Sequence, residues 1–276
     1  MTELDMDRLT AGWRGPLLAA LVAFLACLPG LVAMPPLDRA ESRFAQATAQ
    51  MIETGDLTEA RFQARRVNDF GPLAHWLQAV PAAAFQATET RAIWPYRVPS
   101  LLAAMLAAAA CAWGAAFFWG GRLGTVAGVV LASSLLLSTE GFMATADALL
   151  CALVTVAMAA LARLYAAGRE GKRLSPRYKL VFWSAVAASV LVKGAVGPLI
   201  IGLTLATLAL WDRKSAWMIR LGWVWGLLLT LGRSGRGRWP SPCPPTASSG
   251  PGPPGSCGVR WAAADVSSAC PAITWP

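Results

Sequence analysis

The chain has 276 residues, of which 56% are hydrophobic and 14% are charged, and its formal net charge is +9. A soluble domain usually carries about 25% charged residues, so this composition excludes a soluble fold and places the chain in the integral membrane class. Outside residues 35–97 and before residue 232, all basic residues except Lys193 fall in the amino terminus or in short segments after alternate apolar stretches. This pattern indicates that the basic residues set the orientation of the chain in the membrane and contact membrane lipids. We expect no nucleic-acid partner.

The amino-terminal third contains a first membrane span and a large charged loop. Residues 15–34 predict a transmembrane helix, because twenty apolar residues are long for a secretory signal. The loop, residues 35–97, holds seven of the fifteen acidic residues. Asp38 and Glu41 have the spacing of a helix start, so residues 40–54 predict an amphipathic helix on the membrane surface. Residues 72–87 predict a second interfacial helix.

The middle of the chain predicts further spans. They are expected at about 98–119, 123–139 and 147–165, with two short spans in 180–211 that break at Lys193-Gly194. A further span begins near Leu221. The prediction is therefore an all-α, polytopic integral membrane bundle of about six to seven transmembrane helices with a large first outer loop.

The carboxy-terminal segment differs in composition from the rest. Residues 232–276 carry nine of the nineteen prolines and three of the six cysteines, whose spacings match no zinc pattern. The segment begins within the expected seventh span, which predicts a reading-frame shift after about residue 231; a true disordered tail is the alternative. We therefore divide the chain into a membrane domain, 1–231, and a tail, 232–276.

Several motifs in residues 14–231 occur in the order and spacing of one known family. They are Pro35-Pro36-Leu37-Asp38-Arg39-Ala40-Glu41-Ser42-Arg43-Phe44-Ala45-Gln46, Met51-Ile52-Glu53-Thr54-Gly55-Asp56, Arg61-Phe62-Gln63, His75-Trp76-Leu77-Gln78, Tyr96-Arg97-Val98-Pro99-Ser100-Leu101, Asp147-Ala148 and Lys193-Gly194-Ala195-Val196-Gly197-Pro198. Together they resemble the GT-C membrane glycosyltransferases, in the bacterial branch related to aminoarabinose (lipid A) transferases and dolichyl-phosphate-mannose protein mannosyltransferases.

The resemblance implies transfer of a sugar from a polyprenyl-phosphate carrier to a lipid, protein or glycan acceptor at the outer face of the bacterial inner membrane. The amino terminus would then lie in the cytoplasm. The carboxylates of Glu41 and Asp38 are the catalytic candidates, because a carboxylate accepts the proton of the attacking hydroxyl. The substrate-binding candidates are Arg43, Lys193, Asp147 and His75. We expect no cofactor and no metal.

The chain departs from the family at three positions. Relatives carry an Asp-Glu pair where this chain has Ala40-Glu41, so the catalytic Asp is absent. A Lys-Pro element is replaced by Asp69-Phe70-Gly71-Pro72, and a Lys two residues before Asp147 is replaced by Thr145. These departures, together with a missing carboxy-terminal half, predict a truncated and inactive enzyme.

Other interpretations stay open. Asp38 and Glu41 would also serve as helix caps, Arg43 as an interfacial side chain, and His75 as a structural residue beside Trp76. As a transporter or permease, the chain would line a pathway with Lys193 and Asp147 near the middle of the bilayer. The third possibility is a membrane fragment with no function of its own.

Overall fold

The computed structural model describes residues 10, 12–36, 38–55, 61–62, 65–66, 71–90, 92–170, 173, 175–212 and 221. By its internal contacts the chain divides after Arg236, and all described residues lie in the first unit, Met1–Arg236. The expected seventh span, apart from Leu221, and the expected boundary at residue 231 lie outside the described residues, as does the whole tail.

The described part is a bundle of helices with one short hairpin. Its helices are α1 (Arg14–Ala33), α2 (Arg39–Thr54), α3 (Pro72–Ala84), α4 (Ala87–Thr90), α5 (Trp94–Ala132), α6 (Leu135–Phe142), α7 (Asp147–Arg169), α8 (Pro176–Lys193) and α9 (Val196–Asp212). The strands β1 (Arg61–Phe62) and β2 (Arg65–Arg66) pair antiparallel within the loop, which the sequence did not predict. Helices α1, α5 and α7 are long and apolar enough to cross a membrane. The predicted polytopic helical membrane fold is thus confirmed.

Helix α5 is a helical hairpin of two antiparallel limbs, 94–119 and 121–132. Gly120 reverses the chain with φ +83° and ψ 167°, a backbone conformation that side chains with a Cβ rarely adopt. A Cβ at Gly124 would lie 2.5 Å from the backbone nitrogen of Ala116, and a Cβ at Gly128 would lie 2.7 Å from the Cβ of Ala112. The limbs therefore touch backbone to backbone, and they correspond to the predicted second and third spans.

Helix α1 lies against both limbs of α5, and its contacts identify the two ends of the bundle. A Cβ at Gly15, near its start, would lie 2.3 Å from the Thr125 hydroxyl, and a Cβ at Gly30, near its end, would lie 2.4 Å from the Phe142 ring. Small residues allow this close approach, as is common between membrane helices. We call the end of the bundle near Gly15 and Gly120 the amino end, and the opposite end, which carries α2 and α3, the loop end.

The loop helices pack on protein. Helix α2 begins at the predicted place, where the Asp38 carboxylate accepts the N–H of Ala40 at 3.2 Å. Its predicted apolar face is buried at Phe44, Thr48 and Met51, but this face packs against α3 and the bundle. The apolar face of α2, expected against the membrane surface, packs instead on α3, because α3 offers buried apolar and polar partners. The interfacial position of α3 stays a prediction, since its Trp76, Leu77 and Val80 side chains are exposed.

Candidate functional site at the loop end

Glu41 and Arg97 form a fully buried ion pair. The Arg97 Nε donates to the Glu41 Oε1 at 2.7 Å, and both side chains are 0% exposed. The same carboxylate oxygen accepts the backbone N–H of Ala144 at 3.0 Å. A buried charge is tolerated when it is paired and hydrogen-bonded in this way. Glu41 therefore joins α2 to α5 and to the segment before α7.

Arg97 also caps the carboxyl end of α1. Its Nη1 donates to the carbonyl oxygens of Gly30 at 3.1 Å and Met34 at 2.8 Å, and its Nη2 donates to that of Pro35 at 3.3 Å. The last four carbonyls of a helix have no partner within the helix, so the five N–H donors of a guanidinium match this demand. The arginine holds the end of the first span, the loop helix and the hairpin together.

Arg97 is not among the predicted site residues, although its motif is part of the resemblance. The available signal was an arginine at the start of an apolar span, because charges in such positions are costly without a partner. Its acidic partner lies 56 residues earlier in the chain, and local patterns do not report pairing over that separation.

Asp147 and Lys193 form a second ion pair at the loop end. Asp147 is the first residue of α7 and Lys193 is the last of α8, so both charges lie at helix ends. The side chains are partly accessible, with 31% of Lys193 and 45% of Asp147 exposed. The pair thus presents a cation and a carboxylate near the surface of the bundle, whereas the transporter interpretation requires them near the bilayer middle.

A close backbone contact places α3 beside this ion pair. The Gly71 N–H donates to the carbonyl oxygen of Val192 at 2.8 Å, one residue before Lys193. A Cβ at Gly71 would lie 1.9 Å from the Leu191 carbonyl oxygen, so the contact requires glycine. Below it lies a buried apolar cluster from α2, α3, the residue before α7, α7 and α8, made of Phe44, Ala74, Ala146, Leu150 and Val192. The structure therefore brings the loop helix and the Lys193 turn together.

His75 lies in a buried polar network between α2 and α3. Its Nδ1 is 2.8 Å from the Thr48 hydroxyl, which is also 3.0 Å from the Gln78 Oε1, and the Gln78 amide donates to the Tyr96 carbonyl at 3.0 Å. The threonine has one proton, so the network is best satisfied when His75 donates from Nδ1 and Thr48 donates to Gln78. Burial lowers the pKa of His75 to about 4. The imidazole is therefore neutral at pH 7.

The Nε2 of His75 is buried and has no hydrogen-bond partner among the described residues. The ring also stacks on Phe44, with a centroid distance of 4.3 Å. Since the ring is 0% exposed, His75 cannot contact a substrate without movement of α3. This placement favours the structural role over the predicted substrate-binding role.

The other predicted residues lie on the exposed face of α2. Asp38 is exposed and caps the helix, Ala40 is exposed in the next turn, and Arg43 is exposed one turn further on. Glu41 lies on the opposite, buried face of the same turn. Within the described residues, no three His, Cys, Asp or Glu side chains cluster as metal ligands.

The fold is similar to that of ArnT from Cupriavidus metallidurans. The apo crystal structure has a TM-score of 0.68 and 22% sequence identity, over 79% of this chain and 40% of that chain. The structure bound to undecaprenyl phosphate has a TM-score of 0.66 and 23% identity, over 78% and 40%. No protein-family model and no curated protein matches the sequence.

This chain spans about two fifths of the length of the solved structures it matches. At this level of identity the similarity concerns the fold. The described part of the chain is therefore a membrane helical bundle with a fold similar to that of ArnT.

Proposed function

We propose that this chain is part of a membrane glycosyltransferase that takes its sugar from a polyprenyl-phosphate carrier. The observation that carries the proposal is the packing of both loop helices beside the partly exposed Asp147–Lys193 pair at the loop end. Gly71, before α3, hydrogen-bonds to Val192, and Phe44 of α2 lies in the same apolar cluster as Val192. The carrier's chain would stay in lipid, and its phosphate would meet the protein at this end. The similarity to ArnT bound to undecaprenyl phosphate supports a carrier of this class.

In the proposed reaction, the bond between the sugar's anomeric carbon and the phosphate oxygen breaks as the acceptor oxygen bonds to that carbon. The leaving polyprenyl phosphate keeps the electron pair, so its negative charge grows in the transition state. Lys193 would stabilise this charge by exchanging part of its contact with Asp147 for the phosphate. Arg43, on the exposed face of α2, is a second candidate cation.

The acceptor's proton requires a base, and the two predicted carboxylates are placed differently. Glu41 is fully buried and engaged by Arg97 and Ala144, so we assign it the positioning of α2. Asp38 is exposed and lies two residues before Ala40, where relatives of this type carry the catalytic Asp. We therefore propose Asp38 as the proton acceptor. Lipid, protein and glycan acceptors all fit this chemistry.

Carrier binding tests the proposal without knowledge of the sugar. We expect the purified chain in detergent to bind undecaprenyl phosphate, and Lys193→Gln to raise the Kd about tenfold or more, as for loss of one charge-assisted hydrogen bond. Native mass spectrometry with titrated lipid measures this. Lys179→Gln is the matched control, because Lys179 lies on the same helix towards its other end, and its affinity should be unchanged.

Two results would contradict the proposal. One is the absence of undecaprenyl phosphate binding by the folded chain. The other is equal affinity of the Lys193→Gln variant and the unmodified chain, which would leave the loop end without its phosphate contact.

A further inference from the structure

A groove lies at the amino end of the bundle, opposite the proposed site. Its volume is about 720 Å³, and it is lined by the residues at the start of α1, by both limbs of α5 and by α7. Most of the lining is apolar or small, including Leu106, Ala109 and Val156. The sequence did not predict this groove.

Among the described residues that line the groove, Arg163 of α7 is the charged one. Its guanidinium lies 3.6 Å from the centroid of the Trp113 ring, close enough for a cation–π interaction. Its Nη2 donates to the Trp113 carbonyl at 2.8 Å and its Nη1 to that of Ala159 at 3.2 Å, and Tyr178 is a further hydrogen-bond neighbour. These contacts hold the cation in a fixed orientation at the groove wall.

The positive charge of Arg163 is not neutralised by the described part of the protein. No carboxylate there lies within ion-pair distance of its guanidinium. A cation on a membrane helix is costly unless an anion or water approaches it, so such a residue indicates a ligand or an ion site. The apolar walls beside Arg163 indicate that this ligand also has a hydrophobic portion.

The surroundings of the groove point to a lipid. Trp13 lines the groove and is 70% exposed, as expected for an aromatic anchor at the membrane interface. Exposed basic residues at the same end of the bundle include Arg122, Arg173 and Arg177. Such charges attract anionic headgroups.

We propose that this groove binds an anionic phospholipid from the leaflet on the amino-terminal side. Its phosphate contacts the Arg163 guanidinium, and an acyl chain lies along the apolar wall formed by Leu106 and Val156. The binding is independent of the carrier site, since the two lie at opposite ends of the bundle.

The test uses the full chain and two lipid probes. In native mass spectrometry, the unmodified chain should retain phosphatidylglycerol in preference to phosphatidylcholine. We expect Arg163→Gln to reduce this preference about tenfold, because a charge-assisted contact is lost. Arg169→Gln is the matched control on the same helix, where the arginine is exposed and does not line the groove, and it should keep the preference.

A second variant tests the groove without replacing Arg163, in case the Arg163→Gln variant does not fold. Ala109→Phe fills the groove and leaves the arginine in place, so it should displace phosphatidylglycerol as well. Both variants should bind undecaprenyl phosphate as the unmodified chain does, which separates this site from the proposed carrier site. Retention of the phosphatidylglycerol preference in both variants, or equal loss in Arg169→Gln, would overturn the proposal.

Discussion

At the scale of single residues, the Glu41–Arg97 pair changes the interpretation of the most conspicuous acid in the loop. A carboxylate that begins a charged helix suggests chemistry, but its burial and its two hydrogen-bond donors indicate an architectural role. Polar groups that are fully satisfied in the interior rigidify the elements they join. In this interpretation Glu41 fixes the position of α2, and the exposed Asp38 and Arg43 are the residues proposed to contact the substrates.

Removal of one partner of this pair tests that role. We expect Glu41→Ala and Arg97→Ala each to lower the free energy of unfolding by about 3–5 kcal/mol, because each leaves an uncompensated buried charge. The double variant should lose less than the sum of the two. Denaturant unfolding in detergent measures these values. Unchanged stability of the Glu41→Ala variant would contradict this architectural role.

His75 provides a pH-dependent test of the same region. Burial lowers its pKa to about 4, whereas in the unfolded chain it stays near 6.5. Between these values the unfolded state binds a proton that the folded state does not, so stability is complete above pH 6.5 and falls as the pH drops towards 4. We expect this residue to account for a loss of up to about 3 kcal/mol over that window.

Thermal unfolding in detergent between pH 7 and pH 4 measures the effect of His75. Carboxylates also titrate near the lower end of this pH range. The unmodified chain is therefore compared with the His75→Asn variant, whose amide can still donate to Thr48. The variant should be less stable than the unmodified chain at pH 7 and should lose less stability on acidification. Parallel pH profiles for the two proteins would show that His75 does not carry the dependence.

At the scale of the elements, runs of apolar residues in the sequence predicted the positions of most of the helices. The predicted spans 15–34 and 147–165 correspond to Arg14–Ala33 and Asp147–Arg169, and the predicted break at Lys193-Gly194 separates α8 from α9. Hydropathy succeeds here because a span needs a fixed length of apolar sequence and its backbone must be satisfied within the helix.

The elements that differed from the prediction depend on contacts that hydropathy does not describe. The predicted third span, 123–139, is divided at Ser134, whose hydroxyl accepts the N–H of Leu137 at 3.4 Å and starts α6. The apolar face of α2 was predicted correctly, but not its partner, because a helix face that fits a membrane surface fits another helix equally well. Asp147 and Lys193, two of the predicted site residues, lie in contact in the structure, although their role stays a prediction. The pairing of Arg97 with Glu41 became visible only in the tertiary structure.

At the scale of the whole molecule, the charges divide the bundle into two unlike ends. The loop end carries the two ion pairs together with the exposed Arg43, whereas the amino end carries the exposed Arg122, Arg169, Arg173 and Arg177. Since basic residues favour the cytoplasmic side, we propose that the loop end faces outward, where a carrier-linked sugar would be presented. Ser42 in α2 and Glu170 after α7 are exposed residues at the two ends.

Single-cysteine labelling tests this orientation. The six native cysteines are first replaced by alanine, and Ser42→Cys or Glu170→Cys is then introduced and probed with a membrane-impermeant maleimide in sealed vesicles. We expect Ser42→Cys to react only from the outer side and Glu170→Cys only from the inner side. Three membrane crossings separate the two positions in the chain, namely the first limb of α5, its second limb and α7. Labelling of both from one side would exclude this arrangement of spans. The reverse pattern would keep the spans but place the proposed sugar-transfer site in the cytoplasm, where its carrier-linked donor is not expected.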